Sequence, residues 1–366
     1  MDLASARYGG EVVWCNDEFF APASNLINPA APVWKEGVFT DRGKWMDGWE
    51  TRRRREPGHD SCIIRLGLPG IIDAVTVDTS HFTGNYPESF SLEACGVPTE
   101  RLDEAEWVEL IPRTPLQGDH VATFDVPDDH RVTHVRLNIH PDGGVARLRV
   151  EGRPVPDRDR VCPEDGLVDL ADAALGGRCI ECSDAHFSSP ENLLSPTEPE
   201  GMWDGWETAR RRGPGHDWVV IDLGLPGTIH FVDVDTRFFK GNAPGSVQIE
   251  TAGPDGAWRP ACDQVAVAAH DVNRIALPQP VDADRIRLDI FPDGGVARLR
   301  VWGEPRADAL AAVRMLYVNS LFDQAAREFF HTACAASRWV ETMVAERPYA
   351  DAAELLSAAA GAFDEL

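Results

Sequence analysis

Asp47-Gly-Trp-Glu-Thr-Arg-Arg-Arg-Arg-Glu-Pro-Gly-His-Asp60 recurs as Asp204-Gly-Trp-Glu-Thr-Ala-Arg-Arg-Arg-Gly-Pro-Gly-His-Asp217, and the copies differ only at Arg52/Ala209 and Glu56/Gly213. Pro141-Asp-Gly-Gly-Val-Ala-Arg-Leu-Arg-Val150 recurs unchanged as Pro292 to Val301. A repeat kept only for packing preserves apolar periodicity and lets polar residues drift. Here the polar residues match best, so the repeat carries chemistry as well as architecture. The residue types suit acid–base work on a small anion. Arg53 and Arg54, with Arg210 and Arg211 in the second copy, offer planar guanidinium forks that can hold a carboxylate through two hydrogen bonds. Glu50 and Glu207 each follow a Trp, whose apolar ring could raise the carboxyl pKa and make it a proton donor. His59-Asp60 and His216-Asp217 each follow Pro-Gly, which sets the imidazole at the mouth of a strand, where it can exchange protons. Asn85 and Asn242, in Gly-Asn-x-Pro, offer a donor and an acceptor together.

Each of these residues also has a plainer use. The Arg run can pair with surface carboxylates, Glu50 and Glu207 can cap turns, and Gly-Asn can be only a turn. Adjacent residues on a strand point to opposite faces, so Asp60 and Asp217 can orient some group other than the neighbouring His. His59, Asp60, His216 and Asp217 could instead supply metal ligands together with Glu50 or Glu207. No H-x-x-x-H or comparable spacing supports a metal, and no cofactor is required. Arg147 and Arg149, with Arg298 and Arg300, alternate on a strand and suit either a subunit or substrate contact or a solvated face. Cys179-Ile-Glu-Cys182 has no second pair and reads as buried and structural.

The elements that must position these groups follow from pattern. Val135, Leu137 and Ile139 alternate with polar residues, as do Ile286, Leu288 and Ile290, and Val219, Ile221 and Leu223 lie on one face; this is the period of half-buried strands. Leu-Gly-Leu-Pro-Gly at 66–70 and 223–227 reads as a turn between strands, and Asp142-Gly-Gly144 and Asp293-Gly-Gly295 read as tight hairpins with positive φ. The expected fold is all-β: a tandem repeat of two antiparallel jelly-roll β-sandwiches over residues 1–155 and 156–305, followed by a short helical tail at 306–366. In the tail Leu321, Phe322, Ala325, Phe329 and Phe330 fall on one helical face, and Asp351 with Glu354 forms a capping pair. Composition sets the tail apart as a module of two or three helices.

Bulk properties narrow the partners. A formal charge of −25 over 366 residues repels nucleic acid and anionic membranes, and a short Arg block among carboxylates suits a small anion better than a polymer. The start has no apolar core of a signal peptide, and no apolar run approaches the roughly 18 residues that span a bilayer. Eight scattered Cys fit a reducing compartment. The expectation is a cytoplasmic protein.

Asp-Gly-Trp-Glu-Thr-Arg-Arg, Pro-Gly-His-Asp and Phe-x-Gly-Asn-x-Pro, each given twice, together with Asp17-Glu-Phe-Phe-Ala-Pro-Ala-Ser-Asn-Leu-Ile27 near the start, resemble the allantoicase (allantoate amidinohydrolase) family. The resemblance spans roughly residues 8–304. It implies two galactose-binding-like jelly rolls in tandem, a homo-oligomer, and hydrolysis of allantoate to urea and ureidoglycolate. That substrate is a small anion with one carboxylate and two ureido groups on one carbon. The Arg residues would then anchor the carboxylate, Asn85 and Asn242 would read a ureido group, and Glu and His would do the acid–base work at the C–N bond. Two alternatives are a non-enzymatic carbohydrate-binding tandem jelly roll and a hydrolase of a related ureide. The first copy keeps Arg52, His81 and Tyr86 where the second has Ala209, Phe238 and Ala243, so one copy can bind while the other reacts. In the tail, Cys334-Ala-Ala-Ser-Arg-Trp-Val-Glu-Thr-Met343, Arg347-Pro-Tyr349 and Ala353-Glu-Leu-Leu356 resemble the opening of the ureidoimidazoline (OHCU) decarboxylase family. That family's later His-Pro segment has no counterpart, so no decarboxylase activity is expected.

Overall fold

The computed structural model describes residues 1–161 and 166–364. Cys162 and part of the Pro-rich stretch between the repeats lie outside them. The chain forms two compact units, Met1–Val155 with Met315–Leu366, and Pro156–Arg314.

The first jelly roll is organised by one strand, Asp60–Asp78. Its leading half pairs with Glu11–Cys15 on one side and Val132–His140 on the other. Val132–His140 pairs onward with Ser89–Cys95, which pairs with Val108–Pro115. The trailing half pairs with Arg147–Pro154 and with Val121–Asp125. One strand thus belongs to both layers. Ile64, Val75, Val77, Phe90, Leu92, Leu137, Ile139, Leu148 and Val150 fill the space between them at 0% exposure. The second jelly roll repeats this around Asp217–Asp235, with Arg178–Cys182, Ser246–Ala252, Arg298–Pro305 and an unbroken strand Val272–Phe291.

Two turn expectations are corrected. Leu-Gly-Leu-Pro-Gly does not reverse the chain; the long strand runs through it, with a register shift between Arg65 and Gly70. The backbone N–H groups of Gly67 and Leu68 bond to Leu3 O at 2.9 and 3.2 Å. A Cβ at Gly67 would lie 2.5 Å from Tyr8 O, and one at Gly70 2.2 Å from Arg153 O. Gly67 lets the N-terminal turn at Tyr8 approach the strand closely, and Gly70 does the same for the strand Arg147–Pro154. Gly143 and Gly294 do have positive φ, 143° and 138°, but the strands that flank them are not each other's partners. Val132–His140 joins the leading half of the long strand and Arg147–Pro154 the trailing half. The glycine segment carries the chain from one layer to the other. Cys15, Cys179 and Cys182 are half-buried rather than buried, and the seven described cysteines are free.

Among the described residues the tail has four helices where two or three were expected: α1 (Ala307–Ser320), α2 (Asp323–His331), α3 (Ser337–Ala345) and α4 (Ala352–Asp364). Ala326, Phe330, Trp339, Val340 and Met343 form its core with Leu321. Phe322 precedes α2 and turns to the sandwich, stacking on His130 with ring centroids 4.5 Å apart. Arg101 grips Glu328 with two bonds of 2.8 and 2.7 Å, and Arg131 N donates to Ser320 O at 2.6 Å. From Met315 onward the helices therefore form one unit with the first jelly roll, although their composition differs from it. Asp351 accepts from Glu354 N at 2.9 Å, and Glu354 returns the favour to Ala350 N, which starts α4.

Candidate functional site

The two recurring phrases are hydrogen-bonded to each other. Trp49–Glu50 pairs with Gly144–Val145, and Trp206–Glu207 with Gly295–Val296. Thr51 N donates to Gly143 O at 3.1 Å and Gly143 N to Thr51 Oγ1 at 3.2 Å; Thr208 and Gly294 do the same. Trp49 and Trp206 are wholly buried, and each indole N–H is fixed on a backbone carbonyl, Asp17 O at 2.7 Å and Asp184 O at 2.8 Å. A Cβ at Gly144 or Gly295 would lie 2.0 Å from the ring of Phe82 or Phe239, so glycine is required there. The pairing sets Glu50 at the end of the sandwich.

Glu50 and Asn85 come together: Asn85 Nδ2 donates to Glu50 Oε1 at 2.6 Å, and Asn242 donates to Glu207 Oε1 at 2.6 Å. The backbone carbonyl of each Asn takes the N–H of the critical glycine, Gly144 at 2.7 Å and Gly295 at 2.8 Å. Burial pushes the Glu50 carboxyl pKa above its ordinary value, and the Asn85 hydrogen bond pulls it partly back.

The arginines divide. Arg54 turns inward, with Nη1 2.7 Å from Asp60 Oδ1 and its backbone N–H on Asp142 Oδ2 at 2.8 Å. Arg211 likewise pairs with Asp217 and donates its N–H to Asp293 Oδ2 at 2.9 Å. Asp60 and Asp217 are 2% and 1% exposed, and accept further bonds from Asn16 Nδ2 at 2.8 Å and Ser183 Oγ at 3.0 Å. These two ion pairs clamp the Arg loop. Arg53 and Arg210 are exposed, and their guanidinium groups have no side-chain partner among the described residues.

His59 and Asp60 point apart, as adjacent strand residues do. His59 is exposed and its ring lies 4.8 Å from that of His140. It opens on a cleft of about 830 Å3 that also presents Ser61, Glu93, Arg136, Asn138 and His140. Arg136 holds Glu93 with two bonds of 2.7 and 2.8 Å, Asn138 Nδ2 donates to Glu93 at 2.8 Å, and Ser61 Oγ donates to Asn138 Oδ1 at 2.7 Å. Burial, with His59 and Arg113 nearby, depresses the His140 pKa. Glu50 does not line this cleft. In the second repeat, Asp289 Oδ1 lies 2.8 Å from His216 Nε2. Neither the cleft nor Asp289 emerges from the sequence reading. Residues identical in both copies stand out in the sequence, and these differ: Asn138 stands where the other copy has Asp289, and His140 where it has Phe291. Their signal was a polar residue at every second place beside the apolar stripe. Among the described residues no three His, Cys, Asp or Glu side chains converge to hold a metal ion.

Arg147 and Arg298 are neither substrate-facing nor solvated. They are 1% and 2% exposed. Arg147 donates to Ala30 O, Asp47 O and Asp47 Oδ2 at 2.9, 3.0 and 2.9 Å. Arg298 does the same with Thr197 O at 2.9 Å and Asp204 Oδ2 at 2.7 Å. Each ties the loop ahead of the Trp-Glu phrase to the sandwich.

Two jelly rolls in tandem, each presenting a Glu–Asn pair and a clamped arginine loop, define a duplicated β-sandwich of the galactose-binding-like class. The family described as "Allantoicase repeat" matches residues 1–155 and 168–306. A probable allantoicase of Pseudomonas aeruginosa (strain UCBPP-PA14) is 47% identical over 323 residues, covering 84% of this chain and 96% of its own. One from Photobacterium profundum is 46% identical, with 83% and 96% covered. The crystal structure of allantoicase from Saccharomyces cerevisiae superposes with a TM-score of 0.71 at 35% identity, covering 83% of this chain and 92% of that one. The chain belongs to the allantoicase family. Membership sets aside the carbohydrate-binding alternative.

Proposed function

We propose that the protein hydrolyses allantoate to ureidoglycolate and urea, a hydrolysis of a non-peptide C–N bond in a linear amidine. The observation that carries the chemistry is the Glu50–Asn85 pair three residues from the unpaired Arg53, repeated as Glu207–Asn242 ahead of Arg210. Arg53 and Arg210, exposed and, like Arg55 and Arg212 beside them, without a side-chain partner among the described residues, are the cations we assign to the carboxylate, while Arg54 and Arg211 hold the loop that presents them. Glu50, whose proton affinity is raised, protonates the departing ureido nitrogen in the first repeat, and Glu207 does so in the second. Asn85 and Asn242 orient the glutamates and meet the ureido carbonyl. The base is the histidine at the strand mouth of the same repeat, His59 with Glu50 and His216 with Glu207, and it takes a proton from water as the water oxygen bonds to the aminal carbon. The C–N electron pair leaves with the nitrogen, urea departs, and the carbon keeps the hydroxyl. None of these steps calls on a metal ion.

We further read the protein as a cytoplasmic homo-oligomer. Seven free cysteines fit a reducing compartment, and no described helix is long and apolar enough to cross a membrane. The tail supports the first jelly roll and adds no decarboxylase centre; its one histidine, His331, closes α2.

Purified protein incubated with allantoate, with and without a chelator, tests the reading. Urea release in both conditions is expected. No release in either condition removes the assignment, and release abolished by chelation brings back a metal.

A further inference from the structure

We propose that Asp289 is the positioning residue of the working base, His216, and that the first repeat, which has Asn138 in its place, lacks this device. The inference rests on the allantoate-hydrolysis reading. The carboxylate that holds His216 is not its neighbour Asp217, which is committed to Arg211, but one from the adjacent strand. Trp218 pairs with Asp289 in the sheet register, as Ser61 pairs with Asn138, so the two positions correspond.

Asp289 is 3% exposed. It accepts from His216 Nε2 at 2.8 Å and from Arg287 Nη2 at 2.7 Å. A carboxylate can only accept from a neutral imidazole, so it places that ring's proton on Nε2 and leaves the Nδ1 lone pair available. Nδ1 has no hydrogen-bond partner among the described residues. The ring is held at the rim, with its side chain 32% exposed, against Phe291 at 4.4 Å. Arg287 is in turn placed by Glu250 at 3.7 Å and by the ring of Trp218 at 4.8 Å. Base, orienting carboxylate and supporting cation are thus all held in register.

The first repeat carries His59 without this support. Asn138 is occupied by Ser61 and Glu93, and Arg136 is spent on Glu93. His59 leans on His140, whose Nε2 lies 3.1 Å from Ser91 Oγ. Among the described residues no side chain hydrogen-bonds the His59 ring to fix which nitrogen bears the proton. The duplication has therefore kept the histidine twice and its orienting carboxylate once.

Asp289→Asn in the full-length protein tests this, because an amide of the same shape can offer its N–H to the ring and favour the opposite tautomer. Expected for urea release from allantoate is a fall in kcat of about 100-fold or more, with KM within about threefold. In histidine-selective 15N spectra the neutral His216 signal should move away from the Nε2–H form. Asp289→Asn combined with His216→Gln should lose no more than His216→Gln alone, and His59→Gln should lose at least tenfold less than His216→Gln. A kcat within threefold of the parent, losses that track only the folded fraction, additive losses, an unchanged tautomer, or equal losses from the two histidines would each overturn the proposal. If the parent protein releases no urea, the substrate reading has failed, and the tautomer spectrum still decides whether Asp289 sets the state of His216.

Discussion

Arg54 reaches back across its own loop to Asp60, with Nη1 2.7 Å from Oδ1 and the carboxylate buried beneath it. The residues are six apart, so the pair closes the segment Arg54–Asp60 into a loop, and Arg53 is carried on its outer edge. Asp142 holds the same loop through the backbone of Arg54.

Asp60→Asn is expected to cost about 2–3 kcal/mol, the loss of charge-assisted hydrogen bonds at a buried acceptor. It should also raise KM for allantoate more than it lowers kcat, because it frees the loop that presents Arg53. Chemical denaturation and steady-state kinetics check both, and a KM unchanged beside a loss of stability would separate the clamp from substrate binding.

Glu50 is set to keep its proton to higher pH than a carboxyl with the ordinary value of 4.5. As the proposed acid of the first repeat it must be protonated, so the urea release that remains in His216→Gln should fall as pH rises through its folded pKa. Asn85→Ala removes the donor that favours the ionised form and should move this fall to higher pH. In the His216→Gln background Glu50→Gln should lower kcat by about 100-fold or more. Because the folded pKa is raised, the contribution of Glu50 to stability is complete below pH 4.5 and lost as pH rises through the folded value. Glu50→Gln should therefore gain stability over the parent above that window. A pH–rate limb that moved downward in Asn85→Ala would sink the assignment.

Gly144→Ala forces a methyl carbon to within 2.0 Å of the Phe82 ring. A loss of about 1–3 kcal/mol is expected from the overpacking, and Phe82→Leu in the same chain should recover part of it. Thermal melts of the single and double variants give the coupling directly.

Phe322→Ala removes the ring that stacks on His130 and should loosen the helical tail from the first jelly roll. Faster proteolysis between Ser320 and α2 is the expected readout. The Asp128 carboxylate holds the His130 pKa above its ordinary 6.5, so its contribution to stability is complete below pH 6.5 and fades as pH rises through the folded value. Chemical denaturation should accordingly show this contribution declining across that window in parent and variant alike.

Much of this was legible before any coordinates. Period-two alternation at Val135, Leu137 and Ile139 marks strands whose inner faces are wholly buried, and the doubled phrase singled out Glu50 and Asn85, which do meet. What escaped depends on distance along the chain. Arg147 sits in an alternating strand and suits a subunit or substrate contact or a solvated face, because its partner Asp47 lies 100 residues away. Leu-Gly-Leu-Pro-Gly has turn composition, but its glycines answer to Tyr8 and Arg153, which local sequence does not announce. Asp289 escaped because a comparison of copies rewards sameness, and the position that matters there is one where the copies differ.

The pairing of Trp49–Glu50 with Gly144–Val145 makes the two recurring phrases halves of one object. Neither can be transplanted alone onto another sandwich: a grafted Trp-Glu strand would arrive without the glycine strand that it needs beside it. A chimera that exchanges ends between the two jelly rolls has to cut outside both phrases, and drift in one is tolerable only so far as the other can follow.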